Sequence, residues 1–273
     1  MLNKITLADK ALEYKQMTLN MCCNGGTGHV NSSFSLAELL ATLYEGGILR
    51  HDPKDPDWDD RDRLILSKGQ ASPILYTVLA DRGYFPHNWL NTFNHPDGKF
   101  AVHLQNTVPG VELSTGSLGH GLGVATGMAI SLKLNRKLPL VFCILGDAEC
   151  YEGSVWESAL LAAHQHLNNL IAFVDRNYLG ATDFTENACA LEPLEDKWKA
   201  FGWDTARING HDPTTLITTL GNYRARLSRK PRVIILDTVK GNGVDFLENA
   251  PLWHSRTPDS PNKALSDLRR NHR

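Results

Sequence analysis

The chain has 273 residues, of which 42% are hydrophobic and 21% charged, and its formal net charge is −2. These values predict a globular protein with a sizeable core, and they give no electrostatic reason to expect binding to nucleic acid or to an anionic membrane. The apolar runs are too short to span a bilayer and the N-terminus lacks an apolar signal core, so we expect a cytoplasmic protein. The five cysteines show no zinc spacing and fit reduced thiols in that compartment.

The first half of the chain contains predicted helices around one buried strand. Ser35, with Glu38 three places later, is a plausible N-cap for the second helix. The predicted elements are a helix over 6–22, a helix from Ser35 to about Tyr44, a strand over 63–67, a helix after Pro73 and a loop over 91–113.

Strands and helices alternate through the second half. The predicted elements are a glycine-rich loop over 116–123 that opens a helix to about Leu134, strands at 140–145, 170–175 and 233–237, and helices at 154–167 and 192–200. This alternation predicts an α/β fold: a doubly wound, mostly parallel sheet with helices on both faces. We expect one domain over 1–260 and, because the last residues are polar and basic, a flexible tail over 261–273.

A hard oxygen ligand follows each of two neighbouring apolar strands. Asp147 comes after the run 140–145 and Gly146, and Asn177 follows the run 170–175 one β-α-β unit later. This edge of an open α/β sheet is where ligands bind. One carboxylate and one amide oxygen, completed by water and ligand phosphates, suit magnesium. The pair therefore predicts a magnesium-bound diphosphate, although Asp147 alone is equally typical of a turn.

Other candidate residues carry weaker signals. The glycines of 116–123 permit close backbone approach of a phosphate, but they are as typical of tight helix packing. Glu149 has an ordinary interpretation as a carboxylate favoured by a helix dipole. His29, His103 and His254 lie in loops, where a single histidine is most often a surface residue, and sequence spacing cannot bring the three together.

With these motifs the chain resembles the transketolase family, specifically the N-terminal, diphosphate-binding half found in split, two-chain transketolases. The resemblance covers roughly residues 10–260 and implies the thiamine diphosphate-binding fold of the PP type. The segments that carry it are Gly28-His29, Asp60–Gly69, Pro109–Gly119, Gly146-Asp147, Glu152-Gly153, Trp156-Glu157, Val174–Asn177, Leu191–Trp198, Phe201–Trp203, Gly210-His211, Lys240-Gly241 and Trp253-His254.

The resemblance implies thiamine diphosphate and a divalent metal, usually Mg²⁺, with Ca²⁺ or Mn²⁺ as substitutes. Asp147, Asn177 and the Leu179 carbonyl would ligate the metal. His29, His103 and His254 would contact substrate or cofactor and assist proton transfer, and Glu157 matches a glutamate that links paired active sites. The implied cofactor-binding residues are Gln70, Gly116, Ser117, Leu118, Gly146, Asp147, Ala148, Glu149, Asn177 and His254.

Three departures from the family pattern bear on specificity. Ala148 replaces a usual glycine and adds a methyl group near the expected diphosphate. Gln70 replaces a usual histidine, and a glutamine donates hydrogen bonds but cannot carry a proton. Val30-Asn31 replaces a usual Pro-Gly. These changes motivate a specialised two-carbon transfer, such as one that serves the synthesis of an unusual or branched sugar.

The implied activity is that of the α subunit of a transketolase-type carboligase. Such an enzyme transfers a two-carbon ketol unit from a ketose or ketose phosphate to an aldehyde through a carbanion on the cofactor. The family places an essential glutamate on a second, pyrimidine-binding domain, which a chain of this length does not contain. We therefore expect a C-terminal transketolase-like partner subunit, most simply in an α₂β₂ assembly.

Two alternatives stay open on sequence grounds. The α subunit of a 2-oxoacid dehydrogenase or decarboxylase shares the diphosphate motif, although Leu191–Trp198 and Pro109–Gly121 argue against it. A non-catalytic partner subunit with a degenerate cofactor motif is suggested by Ala148 and Gln70, and opposed by the presence of Asp147 and Asn177.

Overall fold

Five strands form one sheet in the order β1-β2-β3-β5-β4, and every pairing is parallel. The strands are β1 Arg63–Leu66, β2 Val141–Gly146, β3 Leu170–Arg176, β4 Asp204–Asn209 and β5 Arg232–Asp237. The computed structural model describes residues 6–224 and 228–272. The parallel sheet, with helices between its strands, confirms the predicted fold class.

Ten α-helices surround the sheet in the described part of the chain. They are α1 Leu7–Gly25, α2 Val30–Phe34, α3 Ala37–Tyr44, α4 Ser72–Asp81, α5 Gly121–Leu134, α6 Gly153–His164, α7 Thr185–Ala188, α8 Leu194–Ala200, α9 Pro213–Arg224 and α10 Asn262–Asn271. A reciprocal capping box between Thr6 and Asp9 begins α1, and Gly26, with a φ of 66°, ends it. None of the helices in the described ranges is long and apolar enough to cross a bilayer.

The strands bury side chains on both faces, as a parallel sheet covered by helices requires. Phe142 and Phe173 point to one face, where their rings stack at 6.2 Å and join the core with α1, α3 and α4. Cys143 and Val174 point to the other face, against α5, α6 and α8. Two apolar layers therefore hold the sheet rigidly enough to position side chains at its edges.

The strand register brings the carboxyl ends of β2, β3 and β5 to one edge of the sheet. Gly146 pairs with Asp175, and Arg176 pairs with Asp237. The residues that follow β2 and β3 consequently lie side by side, as the predicted β-α-β unit required. This edge carries the candidate site.

Two local expectations differ from the structure. Ser35 does not cap a helix, because α2 ends directly before it and its hydroxyl instead donates to Asp175 Oδ2 at 2.7 Å. The segment predicted as a flexible tail contains α10, in which Ala264 and Leu268 are buried in the main core. The polar composition of this segment concealed a helix with one narrow apolar face.

Phe173→Ala should destabilise the fold by about 3–5 kcal/mol, because it removes a fully buried ring from the centre of the sheet and leaves a cavity. Urea unfolding followed by circular dichroism measures this change. Leu138→Ala, at a side chain that is 85% exposed, is the matched control and should change the free energy of unfolding by less than about 0.5 kcal/mol. Equal effects would contradict the assigned core.

Candidate active site

A cavity of about 340 Å³ opens at the carboxyl ends of β1, β2 and β3. Most of the residues proposed from the sequence line it. These are Gln70, Leu118, Gly146, Asp147, Ala148, Glu149, Asn177, Leu179 and His254. Gly116, Ser117, His29 and His103 lie outside the lining. His29 lies beside His254, His103 lies beside His29, and Gly116 lies beside Gln70.

Asp147 is buried and anchored by three donors. Its Oδ1 accepts from the Ala148 amide at 2.8 Å, and its Oδ2 accepts from the Tyr178 amide at 2.7 Å and from Arg176 Nη1 at 3.1 Å. Burial and the nearby Asp175 raise the pKa of this carboxyl. The ionised form of this buried carboxyl is therefore stabilised by a nearby cation.

Asn177 and Leu179 place two more oxygens in the same wall. Asn177 uses its Nδ2 to donate to Asp175 Oδ2 at 3.0 Å, which leaves Oδ1 for other partners, and Oδ1 accepts from the Leu179 amide at 3.2 Å. The Leu179 carbonyl accepts from Lys240 Nζ at 2.7 Å. A carboxylate, an amide oxygen and a carbonyl form an oxygen donor set that suits a hard divalent cation. Within the described residues no cluster of three His, Cys, Asp or Glu side chains forms a metal site.

Two buried lysines complete the cavity, and sequence reasoning did not assign either of them a role. Lys68 forms an ion pair with Asp175 and lies 3.3 Å from Ser35 Oγ. Lys240 is 3% exposed, and burial together with the charge of Lys68 lowers its pKa to about 8. Two cations in one small cavity suit a polyanion such as a diphosphate. In the sequence, a role for these lysines was indicated only by their place in Lys68-Gly69 and Lys240-Gly241, two of the segments that resemble the transketolase family.

The structure brings together the three histidines that sequence spacing could not. The ring centroid of His29 lies 6.0 Å from that of His103 and 5.5 Å from that of His254. Burial and the neighbouring His103 lower the pKa of His29 to about 4, and burial and Lys240 lower that of His254 to about 4. Both imidazoles are therefore neutral near pH 7 and can accept or donate a proton.

Gln70 and Gly116 shape the neighbouring wall. Gln70 Nε2 donates to the Gly116 carbonyl at 3.1 Å, while its Oε1 is buried without a hydrogen-bond partner in the described chain. Gly116 has a φ of 146°, and a Cβ there would lie 2.9 Å from the His103 ring. A glycine is therefore required at this position. The free Gln70 oxygen is available to a donor on a ligand.

Glu149 and Ala148 have clear local roles. The Glu149 carboxylate accepts from the Gly119 amide at 2.9 Å, from the Gly146 amide at 3.0 Å and from the Ser67 hydroxyl. It thus ties the glycine loop to the end of β2. Ala148 begins a right-handed 3-10 turn over Ala148–Tyr151, so its methyl group imposes no backbone strain.

The low pKa of His29 predicts a pH effect on stability. Its ordinary value is 6.5, so between pH 6.5 and about 4 the unfolded chain binds a proton that the folded chain does not. The folded state should therefore lose stability as the pH falls through this window. His29→Gln should show a smaller loss between pH 7 and pH 4.5 in urea unfolding. His87→Gln, at an exposed histidine, should lose as much stability as the wild type over this pH range. If the free energy of unfolding falls equally with pH in all three chains, His29 is not the group responsible.

Comparison with known proteins agrees with this geometry. The family model of the transketolase thiamine diphosphate-binding domain matches residues 13–258. A 6-deoxy-6-sulfo-D-fructose transketolase subunit of Clostridium sp. is 39% identical over 92% of this chain and 91% of its own. An apulose-4-phosphate transketolase subunit of Actinobacillus succinogenes is 40% identical over 95% of this chain and 94% of its own.

Solved transketolases have the same fold. The Campylobacter jejuni enzyme superposes with a TM-score of 0.89 at 27% identity, covering 97% of this chain but 43% of the solved one. The Leishmania mexicana enzyme gives 0.90 at 25% identity, with coverages of 98% and 41%. This chain thus spans less than half of those enzymes, and it belongs to the transketolase family as a chain built on the N-terminal thiamine diphosphate-binding domain.

Proposed function

We propose that this chain is the diphosphate-binding subunit of a two-subunit transketolase-type enzyme that transfers a two-carbon ketol unit from a ketose to an aldehyde. One observation carries the proposal: the oxygens of Asp147, Asn177 and Leu179 share a cavity with the ammonium groups of Lys68 and Lys240. This is the combination that a metal-bound diphosphate needs.

The residues divide into a cation side and an anion side. Asp147, Asn177 and the Leu179 carbonyl would hold Mg²⁺, or Ca²⁺ or Mn²⁺ in its place. Lys68 and Lys240 would face the diphosphate oxygens. Gly146 and Ala148 would line its path, and Gln70, Gly116, Ser117, Leu118 and Glu149 would shape or support the rest of the cofactor site.

Thiamine diphosphate, when bound, supplies the electron sink for cleavage next to the ketose carbonyl. The protein contributes orientation and proton transfer. His29, His103 and His254 would exchange protons with substrate hydroxyls, because at least His29 and His254 are neutral at physiological pH. Gln70, which cannot carry a proton, would position a substrate or cofactor group through its free Oε1.

The partner subunit would supply the other half of the active site. It would carry a pyrimidine-binding domain, in an α₂β₂ assembly with this chain. Exposed apolar side chains on the packed pair α5 and α6 support such an interface: Leu160 is 61% exposed and Leu161 45% exposed. Glu157 is exposed on α6 and would couple paired sites across that interface.

The substrates would be sugars or sugar phosphates. Two relatives are named for a sulfo-sugar and for apulose-4-phosphate, which supports a ketose donor with an anionic end. The five cysteines are free thiols, in keeping with an enzyme of the cytoplasm. The presence of Asp147 and Asn177 in the cavity argues against a subunit that has lost cofactor binding, and a requirement for a lipoyl carrier would support the 2-oxoacid alternative.

The tagged chain, isolated from its source cells with Mg²⁺ present, should appear in native mass spectra bound to a second chain and to thiamine diphosphate. Asp147→Asn should lose metal and cofactor, because it replaces the charged ligand with a neutral one of equal size. Asp183→Asn is the matched control, since Asp183 also lines the cavity but is exposed.

The alternatives give different spectra. A lone wild-type chain without cofactor would favour a subunit without catalytic activity. A wild-type complex whose cofactor content is unaffected by Asp147→Asn would remove Asp147 from the proposed metal site.

Leu160→Glu should weaken association with the partner subunit, because it places a charge in the proposed interface, while the circular dichroism of the isolated chain stays unchanged. Sedimentation velocity of the mixed subunits measures the effect. Leu138→Glu is the control, because Leu138 is exposed on the loop between α5 and β2. Equal weakening by both variants, or by neither, would count against the α5–α6 face.

A further inference from the structure

Arg176, the last residue of β3, is fully buried beside the cavity. Its Nη1 donates to Asp147 Oδ2 at 3.1 Å and to Thr185 Oγ1 at 2.6 Å. Its Nη2 donates to Glu186 Oε1 at 2.7 Å, and its Nε donates to Glu192 Oε1 at 3.2 Å. One guanidinium therefore joins the carboxylate at the end of β2 to the segment that follows β3.

The same guanidinium supports the turn that carries the other two proposed ligands. Arg176 lies 4.0 Å from the centroid of the Tyr178 ring, and Tyr178 stands between Asn177 and Leu179. Tyr178 has a φ of 63°, which is rare for a bulky residue. Such conformations persist when the surroundings fix them, here through the Arg176 stack and the bond from the Tyr178 amide to Asp147.

The contacts of Arg176 also reach the cavity wall. Residues of Gly180–Ala188, which includes α7, line the cavity after the Leu179 carbonyl. Thr185 and Glu186 hold this wall to Arg176, and Tyr151 holds it from the other side by donating to the Thr185 carbonyl at 2.8 Å. The planar guanidinium has five N–H donors and can bond to all of these partners at once, whereas a lysine ammonium cannot match that geometry.

We propose that Arg176 is a positioning residue for the metal site. It fixes Asp147 and the Asn177–Leu179 turn in the ligating arrangement and ties both to the Gly180–Ala188 wall, without touching metal or cofactor itself. The inference rests on the proposed function, because it takes Asp147, Asn177 and Leu179 as the ligands. Cation affinity and local order of the wall should therefore change together when Arg176 is replaced.

The test uses the full chain with the subunit that co-purifies with it, and Mn²⁺ as the probe. Free Mn²⁺ measured by electron paramagnetic resonance gives the affinity, and hydrogen exchange reports the order of 180–188. Arg176→Met should weaken Mn²⁺ binding by about 10–100-fold, as loss of a residue that orients a metal ligand does. Exchange across 180–188 should become faster.

Three further variants separate positioning from general stability. Arg61→Met removes another ion-paired arginine. Neither Arg61 nor its partner Glu112 lines the cavity, so this variant should lower stability without changing Mn²⁺ affinity. Glu186→Gln removes the charge from one wall contact while keeping an oxygen acceptor, and it should speed exchange with a smaller effect on Mn²⁺ affinity. Arg176→Lys retains the positive charge without the planar guanidinium and should lower Mn²⁺ affinity by an intermediate amount. This variant replaces Arg176→Met in the test if Arg176→Met does not fold.

The outcomes distinguish this inference from the proposed function. A wild-type complex that binds no Mn²⁺ overturns the metal site and this role with it. A wild-type complex that binds Mn²⁺, together with an Arg176→Met complex that binds it equally well or more tightly, overturns the positioning role alone. Weakened binding in proportion to the loss of stability, matched by Arg61→Met, also overturns it.

Discussion

Charge balance among buried side chains is the constraint on which the carboxyl edge of the sheet depends. Removing a charge from water is expensive unless a partner of opposite sign lies close to it. Three carboxylates and three cations, each at most 6% exposed, meet at this edge: Asp147, Glu149, Asp175, Lys68, Arg176 and Lys240. Lys68 pairs with Asp175 and Arg176 with Asp147, whereas the described partners of Lys240 are two carbonyls and the His254 ring. Lys240 is thus the cation best placed to meet an incoming anion.

Asp175 shows how the same edge is assembled from distant parts of the chain. Its carboxylate accepts from Ser35 before α3, from Asn177 after β3 and from Thr238 after β5. The bond to Asn177 uses the amide nitrogen, and the amide oxygen is thereby directed away from Asp175. The aspartate one residue before the strand end therefore determines which atom Asn177 can offer to a metal.

The sequence predicted the elements whose burial is complete. β2, β3 and β5 read as continuous apolar runs because helices cover both faces of the sheet. β4 did not, because its side chains are half-buried at the sheet edge and its composition is polar. Partial burial also prevented the prediction of α10, because few of its residues are buried. Among the strands, complete burial leaves a clear sequence pattern, and partial burial at the sheet edge does not.

The candidate site was predictable where it depends on local register. Asp147 and Asn177 follow paired strands, so their proximity is a consequence of parallel pairing. The histidine cluster and the lysine pair depend on loops from separate parts of the chain, and no local pattern encodes those approaches. Arg176 was hidden for another reason: an arginine in a strand gives no sign of whether its charge will be buried.

Two of the buried polar atoms without a hydrogen-bond partner in the described chain belong to the candidate site. His29 Nδ1 and Gln70 Oε1 are buried without hydrogen-bond partners among the described residues, and each such atom costs about 1–3 kcal/mol. The neighbouring Glu149, in contrast, accepts from the Gly119 and Gly146 amides and from the Ser67 hydroxyl. Glu149 thus supports a wall of the site, whereas Gln70 lines the cavity with a free acceptor and His29 lies beside His254, which lines it. A chain without a ligand would bear that cost with no compensating contact, so the arrangement favours a protein that binds cofactor and substrate.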